Sequence, residues 1–383
     1  MNVKAILSLI PESEFEFLTA DTNVDHQVKK LDGVILFRLI LFSMLHTEKV
    51  SLRVMEKFYS SAKFRAIAKD SHKQVKYNSI RDRIATINAD FFARLFNSVF
   101  IEFNAKLKET DAVLKYDSTL ITMSAKLVDW ALSNGTNKSL RKLKITIGQK
   151  GNLPCSVKVY TDSKAASEDM AIPSAINEYQ GAIESIVVFD RGVQSRSEFD
   201  KFSSGNQYFI GRLNLPNRYK LHQENEILAK PKNSTVTVVK DEWVYLINKK
   251  GGLTKHAVRR ISAKIDKTGE DICFVTNNDK LKAYEVAAYY KQRWEIEVFF
   301  KFLKQHLNLN HLVVRTENGI KVMLYMTLIT AILIIAYKEL NKVKNFKSAK
   351  MSFELELEEL IMKDIVILCG GDPAKVKHLW NSS

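Results

Sequence analysis

The sequence predicts a mixed α/β fold preceded by a helical region, on three observations. The first hundred or so residues carry apolar residues at helical spacing. Beyond Thr110, short β-branched runs alternate with helical stretches. A long helical segment then begins near Lys282 and extends to about Leu309. With 46% hydrophobic residues and only 14 Gly and 6 Pro among 383, the chain has ample material for packed cores and is neither disordered nor fibrous. Its length exceeds one typical domain, so two domains and an insertion are expected.

Taken in order, residues 1–108 form the helical region. Val34 to Leu45, VILFRLILFSML, is apolar enough for a buried helix. From Lys49 to Arg94 there are eleven Lys or Arg against four Asp or Glu. Within that stretch SLRVMEKFYSS and NSIRDRIATIN read as amphipathic helices, with Asn78 or Ser79 placed to cap the second. Two short helices, the second basic, suggest a helix-turn-helix-like module, and equally a solvated basic face. The strand-like runs AVLKYDSTLITM, RKLKITIG and PCSVKVYTD follow. Next come a helix (SEDMAIPSAINEYQG), an apolar strand ending in a Gly turn (ESIVVFDRG), a helix (SRSEFDKFSS) and a strand (QYFIGRL). This order is that of a mixed α/β domain resembling ribonuclease H. Residues 216–276 read as a β-rich insertion, so the catalytic domain is expected over 109–340, with a C-terminal helical region over 341–383.

The net charge of +15 points to a polyanionic partner, nucleic acid before an anionic membrane surface. Val322 to Tyr337 is the most apolar stretch, but at 16 residues it falls short of the roughly 20 needed to cross a bilayer. It is expected to be a buried core helix, and no membrane association is expected. The three cysteines, Cys155, Cys273 and Cys369, are far apart and build neither a disulfide framework nor a zinc site, as in a reduced cytoplasm.

Two aspartates follow apolar strand-like runs: Asp117 after AVLKY and Asp190 after IVVF. An unpaired strand carboxylate is costly to bury, and a divalent cation offsets that cost. Either residue alone reads as well as a turn or capping Asp. The helix AYYKQRWEIEVFFKFLKQHL adds a third carboxylate, Glu297. On a wheel of about 100° per residue, Tyr290 and Lys304 fall within about 20° of Glu297, and Arg293 about 40° away. Tyr289, Ile296, Phe300, Leu303 and Leu307 form the adjacent apolar stripe, so Glu297 lies at its border. An ordinary i, i+4 ion pair between Arg293 and Glu297 fits the same pattern.

Tyr290, Arg293, Glu297 and Lys304, at these spacings, resemble the Tyr-Arg-Glu-Lys signature of the insertion sequence 4 family of bacterial transposases. Asp190-Arg191-Gly192 and Asp117-Ser118-Thr119 resemble the family's second- and first-Asp regions, though Ser118 stands where Gly is more usual. The run KQHLNLNHLVVRTENGIKVMLYMTLI is also similar, and the resemblance covers roughly Ala112 to Leu340. It implies a ribonuclease H-like domain with catalytic Asp117, Asp190 and Glu297 binding two magnesium ions, manganese being an alternative. It also implies cleavage at element ends and strand transfer into target DNA. Tyr290, Arg293 and Lys304 would contact DNA phosphates, with Arg191 and Trp294 beside them. Trp243, in the insertion, is read as a packing residue. Double-stranded DNA, a homodimer holding two ends and a bacterial cytoplasmic, nucleoid-associated location follow. The alternatives are a non-enzymatic DNA-binding regulator derived from such a protein and a ribonuclease H-like nuclease that cuts without joining.

Overall fold

A computed structural model of the chain describes residues 1–68, 74–107, 113–124, 130–133, 139–160, 167–179 and 185–375. It divides into two compact units, Met1–Glu109 with Lys301–Ser383, and Thr110–Phe300. Residues from 301 onward pack with the N-terminal helices.

The first unit opens with α1 (Val3–Leu7), α2 (Glu12–Thr22), α3 (Gly33–His46), α4 (Leu52–Tyr59), α5 (Ala62–Ala68), α6 (Tyr77–Thr86) and α7 (Ala89–Leu107). The apolar segment beginning at Val34 is α3, capped by Asp32, whose side chain accepts from Ile35 N–H. The two amphipathic segments are α4 and α6, with α5 between them. The second starts two or three residues earlier than Asn78 or Ser79 as cap would place it: Lys76 stands at the cap without a capping side-chain bond, and Asn78 and Ser79 lie inside the helix.

The second unit is built on one ten-stranded sheet. Its elements are β1 (Val113–Ser124), β2 (Leu132–Ser133), β3 (Leu140–Lys150), β4 (Leu153–Tyr160), α8 (Glu168–Glu178), β5 (Ile186–Phe189), α9 (Arg196–Ser204) and β6 (Phe209–Arg212). They continue with β7 (Tyr219–Glu224), β8 (Val236–Leu246), β9 (Val258–Ile265), β10 (Asp271–Thr276) and α10 (Ala283–Gln292). In the core of the sheet, β3 runs antiparallel to β1 and β4 antiparallel to β3, while β5 is parallel to β1 and β6 parallel to β5. Three antiparallel strands followed by two parallel ones, in the order β4-β3-β1-β5-β6, make this a ribonuclease H-like mixed sheet. The segment expected as a β-rich insertion carries β7 to β10. β10 pairs antiparallel with β6, and β9, β8 and β7 extend the same sheet.

β5 is apolar throughout because both faces are covered. Phe189 packs with Phe199 and Phe202 of α9, and Val188 belongs to the cluster with Ile210, Ile261, Phe274 and Val286. Gly211 of β6 has no side chain because a Cβ there would lie 2.6 Å from the Phe189 ring. In the extension, Arg259 of β9 forks onto Asp241 of β8 at 2.8 and 2.5 Å, and Arg260 pairs with Glu242 at 2.9 Å, all four buried. Trp243, between them, is half-buried on β8.

α11 (Trp294–His306) follows α10 after a single non-helical residue, Arg293. The expected unbroken helix from Lys282 to Leu309 is therefore two helices. Around Arg293 the backbone tightens: Arg293 N–H reaches Tyr290 O and Ile296 N–H reaches Arg293 O, both spanning three residues rather than four. The chain closes with α12 (Glu317–Leu340) and α13 (Phe346–Leu368). α12 is longer than its 16-residue apolar run. At 24 residues it has the length and composition to cross a membrane, but 89% of its most apolar window is buried inside the protein. It is apolar on every side because it is surrounded, packing against α1, α3, α6, α7 and α13.

Removing one partner of a buried ion pair strands the other charge. Asp241→Ala is expected to destabilise the sheet unit by about 3–5 kcal/mol, read as a lower denaturation midpoint.

Candidate active site

The register of two parallel strands brings the two aspartates together. Tyr116 of β1 pairs with Phe189 of β5, and the next residue on each chain is Asp117 and Asp190. Neighbouring strands lie roughly 4.8 Å apart, so the two carboxylates start from adjacent positions at the carboxyl end of β5. Both also make local turn bonds: Asp117 Oδ1 accepts from Ser118 N–H at 2.8 Å, and Asp190 Oδ1 from Gly192 N–H at 2.7 Å. The turn reading of these residues thus holds alongside their convergence.

Glu297 sits in the first turn of α11. Its carboxylate accepts from Arg293 at 2.6 Å, and the same guanidinium lies 3.9 Å from Asp117 Oδ2. Arg293 thus stands between the third carboxylate and the first. Its buried Nε has no hydrogen-bond partner. Tyr290 packs its ring on Phe274 of β10, and the Arg293 guanidinium lies 5.7 Å from the Tyr290 ring centre. Burial raises the Tyr290 hydroxyl above its usual range.

The wheel placed Tyr290, Arg293, Glu297 and Lys304 on one stripe of a continuous helix. With the break at Arg293, Tyr290 belongs to α10, while Glu297 and Lys304 remain two turns apart on α11. Ile296, Phe300, Leu303 and Leu307 are buried as that wheel requires, and so are Phe299 and Phe302, so α11 is covered over a wider arc than the stripe. Trp294 is 63% exposed, and Arg191 is exposed beside Asp190.

Two site residues went unread in the sequence. Glu168, in the first turn of α8, hydrogen-bonds the Asp190 carboxylate. A Cβ on Gly192 would lie only 1.5 Å from Glu168 Oε2, so the glycine leaves the space that this carboxylate fills. Lys144 of β3 is buried, its ammonium held down by desolvation and raised again by Glu168, Asp190 and Asp117. The available signal was weak: a lysine within the β-branched run RKLKITIG, and an acidic residue in a helix's first turn.

Burial, reinforced by Asp190 and Glu168, pushes the Asp117 carboxyl up to about 7, against the pull of Ser118 N–H and Arg293. Such a group is short of positive charge. Hard carboxylate oxygens such as those of Asp117 and Asp190 are the donor type that magnesium or manganese prefers. Among the described residues no three candidate ligands converge at metal-binding spacing, and Glu297 faces Arg293.

Residues 109–333, well over half the chain, match the family described as Transposase DDE domain. The chain belongs to the DDE transposase family. It is similar to a probable transposase for insertion sequence element IS5377 of Geobacillus stearothermophilus, 26% identical over 282 residues, 72% of this chain and 71% of that one. It is also similar to a putative transposase for insertion sequence element IS4SA of Synechocystis, 23% identical over 264 residues, 66% and 71% of the two chains. A cryo-electron microscopy structure of a piggyBac transposase synaptic complex with hairpin DNA is similar at a TM-score of 0.46 and 10% identity, over 95% of this chain and 82% of that one. The fold assignment rests on the strand order rather than on that likeness. This DDE transposase is an enzyme of DNA transposition, of the insertion sequence 4 type, with the divalent-metal dependence that goes with its family.

Two outcomes are expected. Asp117 binds a proton more tightly folded (about 7) than unfolded (3.8). The metal-free transposase should therefore lose stability as pH rises from about 4 to 7, and Asp117→Asn should flatten that fall in the thermal midpoint. Gly192→Ala would place a Cβ 1.5 Å from Glu168 Oε2 and 2.9 Å from Asp190 Oδ1, so it should displace both carboxyl groups and sharply lower DNA cleavage.

Proposed function

We propose that Asp117, Asp190 and Glu297 are the catalytic carboxylates of this transposase and hold two magnesium ions, with manganese as a substitute. The observation that carries this reading is the pairing of Tyr116 with Phe189, which sets the two aspartates side by side, with Arg293 linking Glu297 to the first of them. The bound ions supply charge neutralisation at the phosphate and a more acidic attacking hydroxyl. Water attacks the phosphodiester at the element end, the bond to the leaving oxygen breaks, and a 3′ hydroxyl is released. That hydroxyl then attacks a phosphodiester of the target DNA.

Tyr290, Arg293 and Lys304 hold backbone phosphates. Arg191 and the exposed Trp294 lie alongside as further DNA contacts. The substrates are double-stranded DNA carrying the element's terminal inverted repeats, and target DNA. The helical region 1–108 binds DNA, the segment 341–383 serves dimerisation, and a homodimer holds both ends in the bacterial cytoplasm, on the nucleoid.

Asp117→Ala, Asp190→Ala and Glu297→Ala should each abolish strand cleavage of end-bearing DNA in Mg2+ while leaving gel-shift affinity nearly intact. Cleavage surviving in any of them removes that residue from the site. Lys304→Ala should weaken binding and make the slope of log affinity against log salt shallower by about one, as measured by titration at several salt concentrations.

A further inference from the structure

Lys115 lies on β1 two residues before Asp117, and its side chain is 1% exposed. A buried ammonium needs its donors satisfied. Here Nζ donates to Gly151 O in the β3–β4 turn at 2.5 Å and to Glu295 Oε2 in the first turn of α11 at 2.5 Å. Glu295 is half-exposed, so the burial cost falls on the lysine. The turn it grips is itself braced: Gly151 adopts φ +52°, and Gln149 donates to Asn152 O.

The pair matters because of where it sits. Arg293 faces Asp117, and Glu295 faces Lys115. Positions 293 and 295, immediately around the helix break, are thus tied to positions 117 and 115 of one strand. Two ties of this kind fix both the height and the rotation of the first turn of α11, and Glu297 leaves that turn two residues later. Buried Ile296 and Phe299 hold the apolar side of that turn, and the Lys115–Glu295 pair adds a polar tie to the strand that carries Asp117.

We propose that Lys115, acting through Glu295, is a positioning residue that sets the approach of the Glu297 carboxylate to Asp117. The inference rests on Glu297 being a metal-binding carboxylate.

The test measures Mn2+ affinity of the full-length protein from the loss of the free-ion electron paramagnetic resonance signal. Lys115→Met removes charge and donor together, so no unpaired charge stays buried. Glu295→Gln changes a half-exposed side chain and keeps the fold. Each should weaken Mn2+ binding about tenfold or more, and Lys115→Arg should recover most of it. In a Glu297→Gln background neither change should weaken binding further, an outcome that a general loss of structure would not produce. If Glu297→Gln weakens binding but Glu295→Gln does not, or if the two effects simply add, the positioning role is overturned while the carboxylate reading stands. If Glu297→Gln leaves Mn2+ binding unchanged, the carboxylate reading itself fails and the positioning role falls with it.

Discussion

Parallel pairing of β1 with β5 forces two carboxylates into neighbouring positions, and the rest of the site is arranged around the resulting negative charge. β5 is apolar up to that point and covered on both faces, and the residues before Asp117 on β1 are buried, so water screens the pair poorly. The protein meets the charge with what it has. Ser118 and Gly192 give backbone donors, Arg293 stands 3.9 Å from Asp117, and Lys144 lies buried close by. Glu168 crowds Asp190 further, and a hydrogen bond between two carboxyl groups requires that they share a proton, so burial and crowding raise the Glu168 carboxyl above its usual range.

Much of this was legible in the residues, for identifiable reasons. The alternation of β-branched runs and helices reflects which faces are covered, so the order of elements and the mixed sheet followed. The two aspartates stood out because carboxylates at the ends of apolar runs contradict strand propensity. Glu297 stood out because the spacing of Tyr290, Arg293 and Lys304 is a helical one. What the residues hid depends on partners remote in sequence. The helix break at Arg293 has no Pro or Gly to announce it. It becomes visible only when Asp117 and Lys115 are seen holding the residues on either side. Glu168 and Lys144 look like ordinary surface charges until α8 and β3 are folded against β1. The extension strands read as an insertion, but their continuity with β6 depends on edge pairing that no local pattern encodes.

The same dependence explains the placement of residues 301–340. A helix apolar on all sides must be surrounded, but its composition does not say by what. α12 packs among the N-terminal helices, because α3, α6 and α7 offer the apolar faces that it needs.

Arg293 joins these strands of argument. Its bond to Glu297 has the form of an everyday helical ion pair, yet the backbone between the two partners is not an uninterrupted helix. A residue kept only for i, i+4 stabilisation, worth roughly 0.2–0.5 kcal/mol on an exposed helix, would gain little from being buried with its Nε unpaired. Leaving a buried guanidinium nitrogen without an acceptor costs more than such a pair returns. That cost is accepted where one guanidinium reaches two carboxylates, Glu297 at 2.6 Å and Asp117 at 3.9 Å. Arg293 thus ties the first turn of α11 to β1, a role that an exposed helical ion pair does not have.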